Sequence, residues 1–159
     1  GDVYKRQFPE SGWDKVMDLN VKSLFFLTQK FAPLLRASAT AERPAKVINM
    51  ASIDGIHNAR PETYSYSASK AAVIHLTRRM AKRLVEEHIH VNAIAPGAFA
   101  SNMNVWARDN PEEVTQRIPA RRIGRPDDMA GTAIFISSRA GDSLVGITIP
   151  VDGGVAFAN

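Results

Sequence analysis

A phenol and an ammonium stand four residues apart at Tyr66 and Lys70, within the run YSASK. On a helix, positions i and i+4 share a face, so the two groups point the same way. A free tyrosine titrates near ~10. A fixed cation close by favours the phenolate and lowers that value, towards the range where general acid/base catalysis works. Ser52 lies upstream, at the end of the short apolar run Val47-Ile48-Asn49-Met50-Ala51. A strand-end serine facing a Tyr-Lys pair is an acid/base constellation: a hydroxyl to polarise an oxygen, and a phenol to give or take its proton. Alone, Ser52 reads as a turn serine and Lys70 as a solvated helix lysine. Tyr64, six residues before Lys70, is off its face and reads as packing or substrate contact.

The elements that must position these groups follow from periodicity. A first helix is predicted from near Ser11, as N-cap, to about Ala37. Trp13, Met17, Leu24, Leu27, Phe31 and Leu35 form its apolar stripe. Asn20 interrupts the stripe and needs partners, since an unsatisfied amide there costs ~1–3 kcal/mol. Pro33 is expected to kink the helix or end its regular part. Residues 45–51 read as a buried strand, 63–87 as a second helix, and 88–94 as a second strand stopped by Pro96-Gly97. One or two short helices are expected over 102–118. Pro126 with Asp127 and Asp128 starts a helix to about Ser138, and 145–151 is a last strand. Alternating strands and helices predict an α/β fold of parallel βαβ units.

The chain has 159 residues, 45% of them hydrophobic, enough for one folded domain. It has no cysteine, which excludes disulfides and thiolate metal sites, and no metal site is expected. No apolar run reaches membrane-spanning length and no signal-peptide pattern opens the chain, so a cytoplasmic protein is expected. The net charge of +4 is spread among acidic residues without interleaved aromatics, which argues against nucleic-acid binding. A modest positive field could still attract an anionic substrate or an acidic carrier.

Ser52, thirteen residues, then Tyr66-Ser67-Ala68-Ser69-Lys70, resembles the active-site segment of the classical short-chain dehydrogenase/reductases. Asn92-Ala93-Ile94-Ala95-Pro96-Gly97 and Val151-Asp152-Gly153-Gly154 follow in that family's order, and Asp18-Leu19-Asn20-Val21 resembles its asparagine motif. The resemblance covers nearly everything from Phe8 onward. It implies a doubly wound, Rossmann-type parallel sheet, and a catalytic set of Asn20, Ser52, Tyr66 and Lys70. Tyr66 would protonate a carbonyl oxygen and Lys70 would bond the nicotinamide ribose. Ser52 would polarise the carbonyl, and Asn20 would hold a water in a relay to Lys70. The loop Pro96, Gly97, Phe99, Ser101 would meet the nicotinamide. Ser101 stands where the family usually has threonine. Met103, Val105 and Trp106 lie on the segment that meets substrate in the family, and Arg108, Arg117, Arg121, Arg122 and Arg125 nearby could face an acidic carrier.

The stretches SGWDKVMDLNV, APLLRASATAERPAKVINMAS and HIHVNAIAPGAF look most like the family's 3-oxoacyl-[acyl-carrier-protein] reductases, particularly the rhamnolipid-pathway type. That implies NADP as cofactor, with NAD possible, an acyl-thioester substrate with acyl carrier protein as partner, and a homodimer or homotetramer. No glycine-rich pyrophosphate turn occurs between a first strand and helix. The expectation is therefore the C-terminal part of such an enzyme, three parallel strands with flanking helices, inactive by itself. Residues 1–7 (GDVYKRQ) fit no element and read as a non-native or divergent leader. A sugar or polyol dehydrogenase of the same family, and a non-catalytic oligomerisation module, are the competing readings.

Overall fold

In a computed structural model of the chain, the described residues are 8–57, 63–102 and 104–158. The expectations for residues 1–7 and for Met103 lie outside them. The order of elements is α1 (Glu10–Met17), a π-helical turn (Asp18–Lys22), α2 (Ser23–Ser38), β1 (Ala45–Met50), a 3-10 turn (Ile53–Gly55), α3 (Tyr64–Leu84), β2 (Ile89–Pro96), α4 (Val105–Asp109), α5 (Pro111–Gln116), α6 (Pro126–Ser137) and β3 (Thr148–Val151). The three strands form one parallel sheet in the order β1-β2-β3, as the alternation of strand and helix predicts.

Strand β2 is central, and its residues from Val91 to Ala95 are buried. On one side Met80, Ala81 and Leu84 of α3 pack against Ile89 and Val91; further along, Val73 and Ile74 pack against Ala93, Ala95 and Ala51. The buried amide at the centre of β2 is paired, as buried polar groups generally are. Asn92 donates to the Leu144 carbonyl (2.8 Å) and accepts from the Ile147 amide (3.1 Å), tying β2 to the approach to β3.

Several boundaries differ from the sequence expectation. The first helix begins at Glu10 with Pro9, not Ser11, in the N-cap position, where the Pro9 carbonyl accepts from the Gly12 amide (2.9 Å). Pro33 lies inside α2 without ending it. It lacks one donor, while Leu24 and Leu35 keep the helix packed on the core. The departure from regular α-helix is instead the π turn around Asn20. Strand β3 starts at Thr148 rather than 145. Gly146, at φ +73°, breaks the extended backbone, although its amide already bonds the Val91 carbonyl (2.9 Å). Among the described residues no helix is long and apolar enough to cross a membrane.

Candidate active site

Ser52 follows β1 directly and caps the 3-10 turn, its hydroxyl accepting from the Asp54 amide (3.2 Å). The turn then lies flat on α3. A Cβ at Gly55 would sit 2.6 Å from the Lys70 carbonyl carbon and 2.7 Å from the Ala71 nitrogen. Only glycine permits this approach, and it sets Ser52 against the helix that carries Tyr66. The Ser52 hydroxyl lies close enough to the Tyr66 phenol to favour its ionised form. Lys70 is one helical turn further on, its ammonium 5.5 Å from the centre of the Tyr66 ring and bonded to the Met50 carbonyl (2.9 Å). The group stands at the carboxyl ends of parallel strands, the ligand-binding end of open α/β sheets.

Electrostatics here differ from the sequence expectation. Burial raises the Tyr66 phenol above its ordinary value; the Ser52 hydroxyl opposes this, and the nearby Asp54 carboxylate adds to it. Burial lowers Lys70, and also raises Asp54 against the opposing charge of His57. Lys70 was expected to lower the phenol. In this arrangement its ammonium faces the Met50 carbonyl and the ring, so desolvation dominates.

Asn20 joins the group indirectly. Its amide donates to the Ser69 hydroxyl (2.9 Å), and it borders the same groove as Lys70 and Met50. The loop after β2 begins at Pro96, paired with Val151. Gly97 fits closely against Asp152, where a Cβ would lie 2.7 Å from the aspartate Cβ. Asp152 in turn accepts from the Gly154 (2.9 Å) and Ala156 (2.7 Å) amides, so its carboxylate shapes the turn. The Phe99 ring covers Gly124. The Ser101 hydroxyl accepts from the Asn104 amide (3.0 Å). Trp106 is exposed, with the Arg117 guanidinium 5.0 Å from its ring centre. The structure thus brings Ser52, Tyr66 and Lys70 together and links Asn20 through Ser69. It shows no contact from Phe99, Ser101 or Trp106 to that group. Gly55 and Ser69 were missed as site-building residues. The signal for Gly55 was a glycine in the loop between serine and tyrosine; for Ser69 there was none beyond its place in YSASK.

The nicotinamide end of a dinucleotide fits these donors. An ammonium carries three N–H donors, one of which Lys70 gives to Met50, and the ribose of such a ligand presents hydroxyl acceptors.

A family profile described as enoyl-(acyl carrier protein) reductase matches residues 5–156. The rhamnolipids biosynthesis 3-oxoacyl-[acyl-carrier-protein] reductase of Pseudomonas aeruginosa is 48% identical over 150 residues, 92% of this chain and 59% of that protein. The 2-dehydro-3-deoxy-D-gluconate 5-dehydrogenase of Dickeya dadantii is 42% identical over 151 residues, 93% of this chain and 58% of that one. The chain therefore spans about three fifths of the length of these relatives. Among solved structures, the Pseudomonas aeruginosa RhlG/NADP active-site complex superposes with a TM-score of 0.91 at 47% identity, covering 96% of this chain and 61% of that one. A gluconate 5-dehydrogenase from Burkholderia cenocepacia in complex with NADP and tartrate gives 0.87 at 33% identity, covering 96% and 59%.

Proposed function

The chain belongs to the short-chain dehydrogenase/reductase family, and from that premise we propose that it carries the acid/base half of an NADP-dependent carbonyl reductase acting on 3-oxoacyl thioesters. The observation that supports this most is the half-buried Tyr66 phenol beside Ser52, with Lys70 one turn along the same helix face. NADPH supplies the hydride when bound. Ser52 orients the carbonyl oxygen and donates to it as negative charge develops. Tyr66 delivers the proton to that oxygen. Its partial burial favours the protonated phenol, the form a proton donor requires. Lys70 holds ribose hydroxyls, and its charge steadies the phenolate left behind. The loop Pro96, Gly97, Phe99, Ser101 holds the carboxamide end.

The acyl reading rests on the 48% identity to the rhamnolipid reductase and on the exposed apolar side chains of Val105 and Trp106 beside that loop. The Arg117 guanidinium over Trp106 offers a cation to an acidic carrier protein. A sugar-acid dehydrogenase is the second reading, favoured by the 42% identity to the gluconate-type enzyme. The same proposal pairs two copies of the chain through α3 together with α2, whose Phe25, Phe26 and Leu27 are exposed. The test is NADPH oxidation by the natural gene product with a 3-oxoacyl thioester and with 2-dehydro-3-deoxygluconate as alternative substrates. Preference for the thioester is expected; preference for the sugar acid selects the second reading, and turnover of neither ends both.

A further inference from the structure

Helix α3 carries two buried hydroxyls in the same arrangement. Ser69 donates to the Tyr66 carbonyl (2.7 Å) and accepts from the Asn20 amide (2.9 Å). Thr77 donates to the Val73 carbonyl (2.8 Å) and accepts from the Asn49 amide (2.9 Å). Both hydroxyls are fully buried. The Thr77 relay ties α3 to β1. The Ser69 relay ties α3 to the π turn, next to the acid/base group, and its consequence is different.

A serine hydroxyl has one proton to give. Ser69 gives it to the Tyr66 carbonyl, so towards Asn20 it can only accept. The Asn20 side chain must therefore present its NH2 to Ser69, which turns its carbonyl oxygen the other way. Asn20 borders the groove that Lys70 also lines. The residues of the π turn are those whose helical bonding is already irregular, and such turns recur at functional sites. We infer that Ser69 is a positioning residue: by consuming its only proton on Tyr66 it fixes the orientation of the Asn20 amide, so that an acceptor oxygen faces the Lys70 side of the groove. An acceptor there favours the charged ammonium. Loss of the relay disfavours that charge, and with it the phenolate of Tyr66. The charged and titratable groups around Tyr66 are Lys70 on its own helix and Asp54, paired in charge with His57, on the turn after Ser52.

This inference rests on the acid/base reading of Tyr66 and Lys70, but its test does not need turnover. The chain has three tyrosines, so 13Cζ-tyrosine spectra of the full chain resolve Tyr66, assigned with Tyr66→Phe. Ser69→Ala is expected to raise the Tyr66 titration by about half a pH unit or more. Ser69→Thr, which keeps the hydroxyl, is expected to restore it. Thr77→Val is expected to lower the melting temperature and leave the Tyr66 titration where it is. Asn20→Ala breaks the same bond from the other side and must give the same shift, with no further shift in the double variant Ser69→Ala/Asn20→Ala. Where the natural gene product reduces a carbonyl, Ser69→Ala should cut kcat about tenfold with KM nearly unchanged. An unshifted Tyr66 titration in folded Ser69→Ala overturns the inference. If that variant does not fold, an unshifted titration in Asn20→Ala does so instead. Absence of carbonyl reduction by the parent overturns the proposed function and leaves the titration to decide this one.

Discussion

The two sides of β1 and β2 are finished differently. Where α3 meets β2, Val73, Ile89, Val91, Ala93 and Ala95 are all fully buried. Where α2 faces β1, a groove of about 610 Å³ runs between the helix and the strand. There Leu27 is 60% exposed, Phe31 50% and Met50 46%. The acid/base group straddles this divide. Ser69 belongs to the closed side and Tyr66 is half-buried at its margin, whereas Asn20 and Lys70 line the open groove. The helix backbone that carries the phenol is therefore held by dense packing, while Asn20 and Lys70 stand where a ligand or further polypeptide can still change their contacts. That accounts for a Lys70 bonded to a backbone carbonyl and a phenol governed by burial.

The comparison breaks most readily by cavity formation. Ile89→Ala, at a site with no solvent exposure, should cost about 2–5 kcal/mol in denaturant unfolding. Leu27→Ala on the open side should cost within about 0.5 kcal/mol at dilutions where the chain is monomeric. A Leu27→Ala cost above about 1 kcal/mol at higher concentration would show that a second copy of the chain covers that face in solution, and should come with a concentration-dependent transition.

Tyr66→Phe keeps the ring at the margin of the closed side and removes only the hydroxyl. In the natural gene product it should lower kcat by about 100-fold or more, equivalent to about 2.7 kcal/mol in the transition state, with NADPH affinity nearly unchanged. Near-normal turnover in steady-state kinetics would remove Tyr66 from proton transfer. The raised, half-buried phenol also predicts a reduction rate that holds to the alkaline side of an ordinary tyrosine before it falls, because the donor is lost only on deprotonation.

How much of this could be read from the sequence depends on range. Ser52, Tyr66 and Lys70 were legible because two of them share a helix face and the third ends an apolar run. The strands were legible from short apolar runs, to within a few residues. The π turn was not: the Asn20 side chain within it bonds a residue 49 positions away, which local spacing does not reveal. The direction of Lys70 was not legible either: helical spacing brings it beside Tyr66, but the Met50 carbonyl that it bonds comes from a different element. Spacing gives proximity along one helix; it does not give the depth of burial that here outweighs the charge.

Gly55→Ala sharpens the comparison at the seam between turn and helix. Its Cβ would press on the Lys70 backbone, which cannot yield without moving α3. The expected cost is about 1–3 kcal/mol, as for other overpacked sites. Part of it should appear as a Ser52 hydroxyl moved away from Tyr66, and hence a further rise in the Tyr66 titration in tyrosine-resolved spectra. A substitution that is both stable and spectroscopically silent would mean that the turn can lift off the helix without disturbing the site.

The smallest effect is expected far from both sides, at the start of α6. Asp128 accepts from both terminal nitrogens of Arg122 (2.6 and 2.9 Å) and from the Arg125 amide (2.8 Å). These contacts lower its carboxyl to about 2, from an ordinary 3.8. A carboxylate whose value is depressed in the folded state stabilises the fold above its unfolded value; that contribution fades as pH falls through the folded one. The window therefore runs from about 3.8 down to about 2. Asp128→Asn should lower the melting temperature slightly at neutral pH and converge with the parent chain as the pH approaches the bottom of that window. Because the pair is part-exposed, with side-chain exposures of 49% for Arg122 and 27% for Asp128, added salt should shrink the difference. Melting curves at neutral and acid pH, with and without salt, measure both effects. An equal deficit at every pH would assign the role of Asp128 to capping geometry rather than to charge.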